Sequence, residues 1–256
     1  MKDTIIVVGM GELGSVFARG FLKLGHPVQA VRRQDNMAEV AKEISKPAAV
    51  LIAVGEADLQ DTLKTIPNQW ADKTILIQNE LLPKDWENTH LIDPTVISVW
   101  FEKKKGMDSK VVLPSPVYGP RSQLVFNALA QVDLPCQQLD SMEDLSYELV
   151  RKNVYILTTN IAGLESGGNV QQLKEQHPEL LTEVANEVIT LQDALTGHKS
   201  DAQPLMDGLN EAFDGDPNHQ CMGRSAPARL KRALNLAEQH NLTLPKLQSI
   251  AEKLKD

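Results

Sequence analysis

The stretch Ile5-Ile6-Val7-Val8-Gly9-Met10-Gly11-Glu12-Leu13-Gly14 decides how the first half of this chain is read. Thr4 to Val8 is a short apolar run rich in β-branched residues, the mark of a strand buried on both faces. A GxGxxG pattern follows at once. The first glycine permits a tight turn, the second lets a pyrophosphate approach the backbone, and the third packs a helix against the strand. The N–H groups at the start of that helix then face the phosphates. Such a pattern alone is a weak signal, and a glycine-rich turn with no ligand is the plain alternative. Here it closes a strand and opens a helix, which is the context a dinucleotide site requires. Gly9, Met10, Gly11, Glu12, Leu13 and Gly14 are therefore the expected cofactor-binding turn.

Working outward, Glu12–Leu24 carries apolar residues at helical spacing, and Gly25 is placed to end that helix. Val28–Val31, Val50–Val54 and Thr74–Gln78 read as further strands, with helices over Met37–Ile44 and Ala57–Thr65. This rhythm predicts a mostly parallel sheet with helices on both faces. Val96–Phe101 and Lys110–Leu113 are strand-like and joined by a short charged loop, so an antiparallel hairpin is expected there. Ser122–Val132 reads as a helix after the proline-rich stretch Pro114 to Pro120. Within that stretch Ser115, Tyr118 and Arg121 could line a cleft or belong to a rigid connector.

From Ser141 the β signal fades. Ser141 with Asp144 three residues on resembles an N-cap and its supporting acid. A long helix should follow through Leu145, Leu149, Val154, Leu157 and Ile161, then further helices over Glu179–Leu195, Gln203–Phe213, Ala226–His240 and Pro245–Leu254. The expected fold class is an α/β Rossmann-type domain over residues 1–140, followed by an all-α substrate or dimerisation domain over 141–256.

Composition excludes several classes. Of 256 residues, 42% are hydrophobic and 23% charged, which fits a globular chain and not a disordered one. A net charge of −8 argues against nucleic acid or an anionic membrane as partner. The basic run Lys103-Lys104-Lys105 reads as a solvated loop. No apolar run is long enough to span a membrane. The glycine-rich turn comes too early for a secretory signal, and Cys136 and Cys221 form no CxxC pattern, so a cytoplasmic location is expected. Six histidines show no ligand spacing, so no metal site is expected, and no GxSxG elbow supports a hydrolase.

Two further places carry chemistry. After the second strand the chain reads Val31-Arg32-Arg33-Gln34, with no acid before Asp35. An acid there would bond a ribose 2′-hydroxyl, whereas arginine suits a 2′-phosphate, so Arg32 and Arg33 favour NADP (NADPH) over NAD. Exposed arginines of no function are the plain alternative. The second place is Leu149-Val150-Arg151-Lys152-Asn153-Val154-Tyr155-Ile156-Leu157-Thr158-Thr159-Asn160, an otherwise apolar helix. Lys152, Ile156 and Asn160 share one face at i, i+4 and i+8. Apolar burial lowers a lysine's pKa and suits it to proton transfer, although a lysine snorkelling to solvent explains the pattern too.

These features in this order, with Gln78-Asn79 after the fourth strand, resemble the ketopantoate reductases, NADPH-dependent 2-oxo-acid reductases of the 6-phosphogluconate dehydrogenase-like group. The likeness runs from Ile5 through Lys253, on short motifs. It implies that Gly9, Gly11 and Gly14 bind the dinucleotide, that Arg33 meets the 2′-phosphate, and that Asn79 lies beside nicotinamide and substrate. It also implies Lys152 as general acid and Asn160 as a substrate contact. A small 2-oxo acid is the implied substrate, and a helical second domain often supplies the surface of a homodimer. The chain departs from the family where Glu80 follows Asn79 in place of glycine, where Val54-Gly55-Glu56-Ala57 lacks the usual lysine, and near Ser225, where the family carries a glutamate. A dinucleotide-binding protein without this catalysis, such as a sensor or interaction partner, is the alternative these departures raise.

Overall fold

Three strands whose ends lie level define the first part of the fold. The structure, a computed structural model, describes residues 2–254. Strand β1 (Ile5–Val8) pairs in parallel with β2 (Val28–Val31) on one side and β3 (Ala49–Ile52) on the other. Val8 sits opposite both Val31 and Ile52, so Gly9, Arg32 and Ala53 leave the sheet side by side. Helix α1 (Glu12–Lys23) links β1 to β2, and Gly25 ends that link with φ +86°. Helix α2 (Met37–Glu43) leads to β3, its start capped by Asn36, whose Oδ1 accepts from the Ala38 N–H at 2.9 Å.

A short 3₁₀ turn, Glu56–Asp58, runs into α3 (Leu59–Thr65), and a second one, Asn68–Lys73, leads to β4 (Thr74–Leu76). The one-turn helix α4 (Lys84–Glu87) precedes β5 (Thr95–Ile97), which continues the parallel pairing. Strands β6 (Phe101–Glu102) and β7 (Lys110–Val111) form a separate antiparallel pair. Strand β8 (Ser115–Tyr118) returns to the main sheet antiparallel to β5. Helix α5 (Ser122–Ala130) then leads to β9 (Cys136–Gln138), parallel to β8. The main sheet has the order β2-β1-β3-β4-β5-β8-β9. Because the chain goes from β1 outward to β2 and then back past β1 to β3, the strand order reverses at β1. In open α/β sheets ligands bind outside the carboxyl ends of the strands at such a reversal.

The expected hairpin over Val96–Phe101 and Lys110–Leu113 is only half right. Its first residues belong to the main sheet as β5, and only Phe101–Glu102 turns back on Lys110–Val111. The proline-rich stretch holds a strand that prolines concealed. Pro116 lacks an N–H but keeps its carbonyl, which accepts from Ser98 N–H at 2.9 Å, so the ladder tolerates it.

The remaining chain is helical: α6 (Met142–Ser166), α7 (Val170–Gln176), α8 (Pro178–Thr196), α9 (Ala202–Gly215), α10 (Ala226–Gln239) and α11 (Pro245–Lys253). Ser141 caps α6 as expected, its Oγ accepting from Asp144 N–H at 3.1 Å and donating to the Asp144 carboxylate at 2.7 Å. Helix α7 was not expected. A reciprocal pair of bonds starts it, Asn169 Oδ1 accepting from Gln172 N–H and Gln172 Oε1 from Asn169 N–H. The described chain divides into two compact units, one up to Leu149 and one from Val150, and the division falls within α6. The first is held by a continuous apolar cluster that includes Ile5, Val7, Phe17, Phe21, Leu51, Ile75 and Val125. In the second, Val154, Ile161, Leu173, Val188, Leu209 and Phe213 are buried. No helix among the described residues is long and apolar enough to cross a membrane.

Candidate functional site

The glycine-rich turn has the geometry its residues imply. Gly9 has φ +91°, and a Cβ there would stand 2.7 Å from the Ala53 carbonyl oxygen of the neighbouring strand. A Cβ on Gly14 would overlap the Gly9 carbonyl oxygen, so α1 approaches the turn as closely as only glycine permits. Gly11 is different. It stands at the N-cap of α1 with open space where its Cβ would be and no side-chain cap. The exposed side of the turn is thus free of side chains where a phosphate could approach. Met10 and Glu12 flank it on the surface, while Leu13 packs against the core. The Glu12 carboxylate stands 3.4 Å from Lys103 Nζ, so Lys103 is anchored beside the turn, while Lys104 and Lys105 are exposed as expected.

Next to the turn, at the level ends of β1, β2 and β3, lies a groove of about 430 Å³ whose lining includes Gly9, Arg32, Arg33, Gly55, Asp58 and Thr62. Both arginines are there, but each already faces an acid. Arg33 Nη2 donates to Asp58 Oδ2 at 2.8 Å, with 87% and 53% of the two side chains exposed. Asp35 Oδ2 accepts from the Arg32 backbone N–H at 2.8 Å, which holds its carboxyl below the usual range, and lies 3.4 Å from Arg32 Nε. Asp58 is an acid the strand-end reading could not find, because it comes from the 3₁₀ turn after β3.

Beyond β4, Gln78 Nε2 donates to the carbonyl oxygens of Ile52 at 2.7 Å and Val54 at 3.3 Å. Those bonds tie the ends of β3 and β4 together and set the direction in which Asn79 leaves the sheet. Asn79 Nδ2 donates to Glu56 Oε1 at 3.2 Å. Glu80 has φ +60°, a left-handed backbone that glycine adopts freely and glutamate does not. The departure from Gln-Asn-Gly therefore changes the side chain and keeps the glycine-like backbone.

In the helical unit, Lys152 lies on α6 with 9% of its surface exposed. Burial, and after it the Arg229 charge, brings its pKa down to about 7. Its ammonium stands 5.5 Å from the centre of the Tyr155 ring. Ile156, one turn on, is buried, and Asn160, two turns on, is buried too. Asn160 Oδ1 accepts from Arg229 Nη1 at 2.9 Å, and its Nδ2 donates to Thr159 Oγ1 at 3.4 Å. Asn153 Nδ2 donates to Gln192 Oε1 at 3.0 Å, a structural amide pair joining α6 to α8.

Arg229 is the residue that reading the sequence missed. Counting back from Leu244-Pro245 leads to Ser225, which is exposed at the start of α10. Arg229 lies one helical turn further and half-buried. The signal was there: a cation in the first turn of a helix opposes the macrodipole, so its placement asks for another reason.

By sequence, the chain matches no family model and no curated protein. By structure it is similar over 98% of its length to 2-dehydropantoate 2-reductase from Methylococcus capsulatus, at 14% identity, 96% of that chain and a TM-score of 0.72. A dimeric ketopantoate reductase from Staphylococcus aureus aligns over 98% of this chain and 97% of its own, at 14% identity and a TM-score of 0.67. The chain has the ketopantoate reductase fold. D-mandelate dehydrogenase, solved in complex with NADH, shares that fold at 13% identity, over 97% of this chain and 96% of its own, with a TM-score of 0.64.

Proposed function

We propose that this protein is an NADPH-dependent reductase of a small 2-oxo acid, with Lys152 as general acid. The carrying observation is Lys152 itself, buried on α6 with its pKa brought down to about 7. A group poised there holds a proton at neutral pH and releases it readily, which is what general acid catalysis requires. The turn of Gly9, Met10, Gly11, Glu12, Leu13 and Gly14 binds the dinucleotide. Support comes from the close packing that only glycine allows at Gly9 and Gly14 and from the bare surface at Gly11. Arg32 and Arg33 receive the 2′-phosphate, and Asn79 orients nicotinamide and substrate. When bound, the reduced nicotinamide supplies a hydride to the carbonyl carbon. Lys152 Nζ gives its proton to the carbonyl oxygen, so the ketone becomes a secondary alcohol and the lysine becomes neutral. Asn160 contributes to substrate recognition on the same helix face.

Turnover of Lys152→Ala, with folding confirmed, tests this reading. Losing a general acid costs on the order of 10²–10⁴-fold in rate. A loss below about fivefold sinks the assignment. A second reading, a dinucleotide-binding protein without this catalysis, is favoured by Ser225, which is exposed and carries no acid where the family has glutamate. NADPH binding with no oxidation across a panel of 2-oxo acids selects it. A homodimer is proposed from the dimeric Staphylococcus aureus neighbour. A cytoplasmic location is proposed from Cys136 and Cys221, both free thiols, their pKa values pushed up by burial to about 12 and about 11.

A further inference from the structure

In the helical unit Arg229, from the first turn of α10, bonds to Asn160 on α6, and its charge acts on Lys152 two turns back along the same helix. The Asn160 amide is oriented by both of its ends. Its oxygen accepts from Arg229 Nη1 at 2.9 Å and its nitrogen donates to Thr159 Oγ1 at 3.4 Å. Thr159 Oγ1 in turn donates back to the Tyr155 carbonyl oxygen at 2.7 Å. A chain of bonds rooted in the backbone of α6 thus reaches through Asn160 to the guanidinium. Arg229 is also close enough to Lys152 for its charge to oppose the ammonium. A small anion lying between the two would be attracted by both.

We propose that Arg229 binds the carboxylate of the substrate, with Asn160 as the residue that positions its guanidinium. The inference rests on the reading of Lys152 as proton donor to the adjacent carbonyl, and it assigns the residue that tells a free 2-oxo acid from its amide, its ester or an aldehyde. The chemistry of the two cations suits this division. A planar guanidinium matches a carboxylate through two parallel N–H···O bonds, whereas an ammonium is a compact charge that can give up a proton. In a 2-oxo acid the carboxylate carbon is bonded directly to the carbonyl carbon. Seating the acid group on Arg229 therefore fixes the carbonyl within a bond length or two of the carboxylate that the guanidinium holds. Binding an anion there also offsets the repulsion between the two cations, which favours the protonated lysine at the moment its proton is needed.

The test compares Arg229→Met and Arg229→Lys with the unmutated protein on a 2-oxo acid and on the amide of the same acid. The amide keeps size and ketone and loses the charge. Calorimetric titration with oxamate, an unreduced carboxylate that mimics a 2-oxo acid, runs beside the kinetics with NADPH present. For Arg229→Met, KM for the acid and Kd for oxamate should rise about ten- to a hundredfold, the scale of a hydrogen bond to a charged group. KM for the amide should stay within about twofold. Arg229→Lys should fall between, since charge survives and the fork is lost. NADPH affinity and the melting temperature serve as folding controls, and the lysine variant stands in if the methionine one fails them. Equal losses on acid and amide, unchanged oxamate affinity in the variants, or no oxamate binding by the unmutated protein overturns the proposal. If Lys152→Ala keeps its turnover while oxamate affinity still depends on Arg229, the general-acid reading fails and the carboxylate anchor stands.

Discussion

If Arg33 receives the 2′-phosphate as proposed, its pairing with Asp58 makes cofactor preference a quantity that can be tuned from either side. A guanidinium bond to a 2′-phosphate contributes about 1.5–3 kcal/mol, as hydrogen bonds to charged groups do. Before it forms, Arg33 must leave Asp58, to which it donates at 2.8 Å with both side chains largely in solvent. Exposed ion pairs of this kind contribute about 0.2–1 kcal/mol. The difference, about 0.5–2.8 kcal/mol, corresponds to NADPH binding roughly two- to a hundredfold more tightly than NADH. Asp58→Asn removes the competing acid, so NADPH should tighten further, by up to about fivefold, while NADH, lacking the phosphate, stays nearly unchanged. Arg33→Ala should weaken NADPH and leave NADH alone. Calorimetric titration of both cofactors against all three proteins, at low salt and again with salt added, measures each of these steps, and the gap between the cofactors should narrow as salt rises. Equal affinity for both cofactors in the unmutated protein refutes the reasoning. So does an Asp58→Asn protein in which NADH tightens as much as NADPH.

Glu80→Gly should stabilise the protein by about 0.5–1 kcal/mol, because relief of left-handed crowding at φ +60° outweighs the extra freedom of glycine in the unfolded chain. Denaturant titration reads this as a higher midpoint at unchanged slope. Lys152 also sets a pH dependence. Its folded pKa of about 7 lies below the ordinary 10.5, so between those values the unfolded chain binds the extra proton and stability rises with pH. The buried ammonium's cost is fully present below pH 7. Lys152→Met should therefore be most stabilising near pH 6.5 and flatten the rise towards pH 9, beyond which the raised thiols of Cys136 and Cys221 act in the opposite direction. Denaturation midpoints at pH 6.5 and pH 9 that differ equally in both proteins would exclude Lys152 as the source.

What was legible in the sequence was legible where local chemistry and tertiary demand agree. Ile5 to Gly14 reads correctly because a doubly buried strand, a turn at positive φ and a helix packed on backbone each leave one residue type little choice. Ser141 and Asp144 read correctly because a cap is a local bond. β8 and β9 were hidden for the opposite reason. Pro116 cannot donate to a ladder and Gln137-Gln138 carry no apolar signal, so both strands are held in the sheet by neighbours distant in sequence. The candidate site divides the same way. Lys152 and Asn160 are visible together because one helix carries both at fixed spacing. Asp58 and Arg229 are not, since the first meets Arg33 from a turn 25 residues away and the second meets Asn160 from a helix 69 residues away. Both hidden residues bear charge and bond directly to a residue that the sequence did reveal. Each therefore acts on the setting of that residue: Asp58 on how much Arg33 can offer a phosphate, Arg229 on how Asn160 and Lys152 meet an anion. On the proposed reading, the short motifs carry the reacting groups, and the two residues that tune them are ones that only folding brings alongside.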